Sequence, residues 1–223
     1  MTARAAISAI ARLTWWRLAH GRGIWLAVAV AMLPIPFAIA LRGHASYALR
    51  SFEIQQVVLV VLPAILIGMA LAGELDDGSI TYVWSRPLAR WTLIAGKLVA
   101  VAPCAIGLVI LSWLVTTWLG ASGLPTLASI GALGAGALAA TAIATALAVS
   151  SPRYGTVLAL VYMLCDGVIG QIPAQLQRLS IAHDVSELAG LRGSSPLIGA
   201  LSLAAILAIA IAIAIRRIGT HEA

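Results

Sequence analysis

The chain has 223 residues, of which 61% are hydrophobic and 10% charged, with a formal net charge of +6. Soluble domains are about 45–50% apolar and about 25% charged, so this chain carries more apolar surface than a soluble fold can hide, and the excess faces lipid. The low count of two Phe and four Tyr argues against an outer-membrane barrel with aromatic girdles and alternating strands. The basic residues stand at the ends of apolar runs, which ties the positive charge to membrane topology and not to nucleic acid.

In chain order, residues 3–20 come first. Ile7, Ile10, Leu13 and Leu18 alternate with Arg4, Arg12 and Arg17, and Trp15, Trp16 and Trp25 cluster at the entry to the first apolar run. This pattern predicts a basic amphipathic helix lying in the membrane interface with aromatic anchors. Six apolar runs follow, at about Gly23–Leu41, Phe52–Ala72, Thr92–Leu119, Leu127–Val149, Gly155–Ile172 and Pro196–Ile215. A span needs about 20 apolar residues, so the reading is an all-α membrane protein with six transmembrane helices, forming one domain over residues 1–223. Ala38-Ile39-Ala40 matches a signal-peptidase site, but the long basic leader and the length of the run predict that the segment is retained.

Prolines at 34, 36, 63 and 103 fall inside the first three runs and predict kinks, because each removes a backbone hydrogen bond. Gly131, Gly134 and Gly136 stand among many alanines, so the fourth run is expected to be buried against other helices. Cys104 and Cys165 lie in apolar runs without a CxxC spacing and read as packing residues; no metal site is indicated. With six spans both termini share one side. Placing them in the cytoplasm puts ten Lys and Arg inside against four outside (Arg42, Arg50, Arg178 and Arg192). The positive-inside rule therefore gives a multi-pass inner (cytoplasmic) membrane protein with cytoplasmic termini.

Polar residues inside or beside the spans are the next signal. Asp166 falls deep in the fifth run, where an acid costs about 2.5–3.5 kcal/mol on insertion scales. Two readings stand: it lines a substrate path or binds a cation, or it lies near the outer end of a short or broken span, exposed to water. Gly167, Gly170 and Pro173 favour the break. Residues 173–195 form an external re-entrant or loop segment in which Leu176, Leu179, Ile181, Val185 and Leu188 mix with Arg178, His183, Asp184 and Glu187, predicting one or two short amphipathic helices. His183 and Asp184 are adjacent and point apart on a helix. Glu53 follows Arg50 by three, a helical ion-pair spacing. No nucleophile is paired with a His, so the chain is not expected to be catalytic on its own.

The connection between the second and third runs carries the most information. Glu74, Asp76 and Asp77 place three of the chain's eight acids within four positions, and Gly78, Ser79, Pro87, Arg90 and then Gly96-Lys97 follow. A short helix starting near Glu74 would set its acids at its positive end. This order of Glu, Gly-Ser, Pro, Arg and Gly-Lys resembles the signature of ABC type-2 permeases, with Ser79 where Thr is more usual. The six-span plan and the amphipathic leader are also similar to that family.

The resemblance implies that residues 74–90 are a cytoplasmic coupling segment that seats in a separate ABC ATPase subunit. The working unit would hold two ATPases and a second permease, identical or not. ATP and its Mg belong to that partner. Gly96-Lys97 is no P-loop, because Trp91 stands where the upstream Gly would be and Leu98 follows the Lys. The function implied is export of a hydrophobic, amphipathic or cofactor-like substrate. Three other readings remain: a haem-exporter-like membrane subunit, a non-transporting scaffold or sensor moved by an ATPase, and an ion-coupled secondary transporter using Asp166.

Overall fold

A computed structural model describes residues 3–21, 23–44, 46–76, 91–121, 125–151, 154–170, 175–191 and 195–220. All regular structure among them is helical: α1 (Ala3–His20), α2 (Gly23–Met32), α3 (Pro34–Ala40), α4 (Tyr47–Asp76), α5 (Trp91–Ala121), α6 (Leu127–Ser150), α7 (Gly155–Ile169), a 3-10 turn (Gln175–Leu179), α8 (Ile181–Leu188) and α9 (Pro196–Thr220). Five stretches are long and apolar enough to cross a membrane: Gly23–Ala40, Tyr47–Leu71, Trp91–Gly120, Leu127–Ser150 and Pro196–Ile218. The predicted fifth span differs. α7 is apolar but has only 15 residues, about 22 Å of helix against a hydrocarbon core of about 30 Å.

α6 is the hub, packing on α4, α5, α7, α8 and α9. Its small residues let those helices come close, and 72% of its apolar stretch is buried, against 22% for α9. The polar groups of α6 are satisfied locally. Thr126 caps its start by accepting from the Ser129 amide, the Trp113 indole donates to Ser129 Oγ, and Thr141 and Thr145 donate to carbonyls one turn back.

α4 and α5 run antiparallel and are fixed in register by three side-chain bonds. Tyr47 Oη donates to the Thr116 carbonyl (2.7 Å), Gln55 Nε2 to that of Val109 (3.0 Å), and Lys97 Nζ reaches the Ala70 carbonyl (2.8 Å). Pro34 breaks the first span into α2 and α3, as its ring requires, and the buried Ser112 hydroxyl donates to the Ala31 carbonyl next to the break. Pro63 and Pro103 do not interrupt their helices: α4 and α5 each run through.

The N-terminal segment is one helix, and one face of it packs on the bundle. Ala6, Ile10, Thr14 and Leu18, spaced four apart, form its inward face, with Ile10 against α5 and Thr14 and Leu18 near Met69 and Ala70 of α4, whereas Leu13, Trp15 and Trp16 are exposed. Gly96 permits that contact, since a Cβ there would lie 2.8 Å from Ile10 Cβ and 3.2 Å from the Ile7 carbonyl oxygen.

Candidate functional site

The buried acids of the described bundle gather around α8. The chain reaches this place because α7 stops early and returns. α8 is capped at its start by Ser180, whose hydroxyl accepts from the His183 amide, and six of its eight residues are buried: Ile181, His183, Asp184, Val185, Ser186 and Glu187. It packs between α6 and α9, and a Cβ on Gly136 would collide with Val185 and lie 2.9 Å from Leu59 Cδ1. Gly136 lies nine residues into α6, about 14 Å along the helix. α8 is therefore inserted between the helices of the bundle and not laid across its end. The segment does hold short helices, as its sequence predicts; the 3-10 turn is exposed at Arg178 and Leu179, but α8 is embedded with its polar face turned inward.

Asp166, near the end of α7, is fully buried. Its Oδ1 accepts from the Ile181 amide and its Oδ2 from the Ala182 amide, both at 2.9 Å, and the Ser180 hydroxyl donates to its backbone carbonyl (3.1 Å). These amides are the orphan donors at the first turn of α8, and the carboxylate sits at the positive end of that helix. Asp166 thus holds α7 to α8, with both oxygens engaged by protein. Of the two sequence readings, the geometry matches the broken span, though the carboxylate is enclosed and not water-exposed.

Glu187 is 2% exposed and is met by an arginine and a histidine. Arg178 Nη1 on the 3-10 turn reaches Oε2 at 3.1 Å, and His183 Nε2 reaches Oε1 at 3.0 Å across one turn of α8. Asp184 is fully buried, and neither of its oxygens has a hydrogen-bond partner. The Ser202 hydroxyl of α9 lies close but donates to the Arg178 carbonyl. Burial pushes the Asp184 carboxyl up to about 6, and the charges of Glu187 and Asp166 push the same way. The Ser202 hydroxyl and the Arg178 guanidinium pull it back.

α4 supplies the other wall. Gln56 Nε2 donates to the Ala182 carbonyl (3.0 Å) and Ser186 Oγ (2.7 Å), fastening α8 to α4. Between α4, α7 and α8 lies a cavity of about 310 Å³ lined by Glu53, Gln56, Val57, Met163, Gly167 and His183 among others. No ion pair joins Arg50 to Glu53 among the described residues, contrary to their spacing; both side chains are exposed. Among the described residues no group of three His, Cys, Asp or Glu could hold a metal ion.

Of the coupling residues, Asp77, Gly78, Ser79, Pro87 and Arg90 lie outside the described residues, and Glu74 and Asp76 are described in backbone only. That backbone corrects one expectation: Glu74 and Asp76 belong to the last turn of α4 rather than to the start of a new helix. α4 continues because Leu71 to Asp76 contain only one glycine, at 73, and no proline before Gly78. Trp15 and Trp16 are 50% and 61% exposed, and Trp25 is 74% exposed at the start of α2.

Sequence reasoning missed the Arg178–Glu187–His183 chain and the role of Gln56. A signal existed in each case. Glu53, Gln55 and Gln56 are polar residues in an otherwise apolar run, and Ser180 three residues before His183 has the spacing of a helix cap. The five long apolar helices define a multi-pass membrane protein. No protein-family model matches the chain, and no curated protein is similar to it.

Proposed function

We propose that the chain is the membrane-spanning permease subunit of an ATP-driven ABC transporter, with six spans in which the short α7 is the fifth. Both termini and residues 74–90 face the cytoplasm. Trp15, Trp16 and Trp25 anchor α1 at the interface. Two copies of a separate ATPase grip the 74–90 segment, and a second permease, identical or related, completes the unit. The substrate is hydrophobic, amphipathic or cofactor-like, and moves outward.

The reading rests first on the order of Glu74, Gly78, Ser79, Pro87, Arg90, Gly96 and Lys97. The structural observation that supports it best is the packing around the end of that segment. α1 lies along α5 and touches α4, and the buried Lys97 bonds the Ala70 carbonyl. A pull on residues 77–90 would therefore move the inner ends of α4, α5 and α1 together. Within this reading α8 and α9 follow as the inserted helix and last span. An ion-coupled transporter working through Asp166 is less well supported, because both oxygens of that carboxylate are engaged by backbone amides.

The test is purification of the chain with its membrane complex. The expected result is an associated ATPase whose turnover in lipid vesicles is stimulated by the permease. Combined Glu74→Lys, Asp76→Lys and Asp77→Lys should abolish both association and stimulation while the chain still inserts. Full transport by a preparation that hydrolyses no nucleotide sinks the reading.

A further inference from the structure

Three acids meet at the inserted helix, and their charges are met in different ways. Asp166 has two backbone amides and the positive end of α8. Glu187 has Arg178 and His183. Asp184 has the weakest compensation: it is fully buried, neither of its oxygens has a hydrogen-bond partner, and only the nearby Ser202 hydroxyl and the Arg178 charge act on it. Arg178, the one permanent cation in the group, is already bonded to Glu187.

The surroundings offset the burial of Asp184 only in part, through the Ser202 hydroxyl and the Arg178 charge. Its own helix presents His183 and Glu187, α7 presents Asp166, the 3-10 turn presents Arg178, and α9 presents the Ser202 hydroxyl, which donates elsewhere. α6 has no ionisable side chain anywhere along its length. α4 contributes Glu53, another acid, on the cavity that His183 also lines. On the α9 side the packing is closed, since a Cβ on Gly199 would stand 2.9 Å from the Asp184 carbonyl oxygen.

An ionised carboxylate with no hydrogen-bond partner in such a place costs several kcal/mol, and a group in that position neutralises instead. A metal cation is a poor solution, because Asp166 and Glu187 have already committed their oxygens and one carboxylate alone makes a weak site. A proton needs only one oxygen.

We propose that Asp184 is a proton-binding site: its carboxyl holds a proton while α8 is seated between α6 and α9, and releases it when α8 shifts and water reaches the side chain. The step is a simple dissociation of the acid to carboxylate and a free proton, so proton release and α8 displacement are linked equilibria. The proposal does not depend on what drives the protein, and it stands whether or not an ATPase is attached.

Infrared absorption of the full chain in lipid nanodiscs, followed against pH, tests this. Exposed carboxyls lose their protonated carbonyl band between about pH 3 and about pH 5. The expected result is a residual protonated band above about pH 5 that shifts when aspartate is labelled with carbon-13 and is missing from Asp184→Asn. Asparagine is nearly isosteric with the protonated acid, so this variant should fold; if it does not, the label on the native chain still decides. The proposal is overturned if no such band survives, if the band ignores the aspartate label, or if a folded Asp184→Asn retains it.

Discussion

Asp166→Ala removes the acceptor for two buried amides without touching the rest of α8. Each bond is 2.9 Å long, and a hydrogen bond to a charged group contributes about 1.5–3 kcal/mol. Against that stands the relief of no longer burying a carboxylate. The net expected loss is about 2–4 kcal/mol, confined to the seating of α8, since Gln56 still holds its other side. Because about 1.4 kcal/mol is a factor of ten, the population with α8 unseated should rise about 30- to 1,000-fold. Hydrogen–deuterium exchange on the chain in nanodiscs reads this directly from peptides spanning residues 181–188. Asp166→Asn, which keeps one carbonyl oxygen, should fall between the native chain and Asp166→Ala. Unchanged protection of α8 in Asp166→Ala would refute the capping role. So would transport lost in Asp166→Asn with α8 protection fully intact, since the carboxylate would then matter for something other than holding the helix.

Other perturbations probe the same architecture. Gly136→Leu fills the place where Val185 and Leu59 meet; it should destabilise by about 1–3 kcal/mol and expose α8 to exchange while α1 stays protected. Gly96→Val pushes against Ile10 and the Ile7 backbone; it should detach α1, seen as faster proteolysis near residues 3–20, and leave the α8 region unaltered. The raised Asp184 carboxyl gives a signed pH effect. The native state holds the proton to about pH 6, whereas the unfolded chain loses it near pH 4. Stability should therefore fall as pH rises through that window. Asp184→Asn should lack this fall. Thermal unfolding of both chains from about pH 4 to about pH 7 checks it, and a native chain that gains stability relative to the variant over that range contradicts the assignment.

The membrane class, the long apolar helices and the burial of α6 were legible in the sequence, because each depends on local properties. Length and apolarity decide whether a helix crosses lipid, and a run of Gly and Ala decides how closely neighbours approach. The early end of α7 was anticipated from Gly167, Gly170 and Pro173, residues whose effect on a helix is local. What α8 does was not readable. Its pattern of Ile181, Val185 and Leu188 against His183, Asp184 and Glu187 is that of a surface helix. Only the return of the chain beneath α7 encloses that polar face between α4, α6 and α9. Likewise Asp166 is an anomaly in a one-dimensional reading and a helix cap in three dimensions, because its partners are amides fifteen and sixteen residues away. Backbone donors have no sequence signature. Tertiary packing therefore decided which acids are well compensated and which one is compensated least.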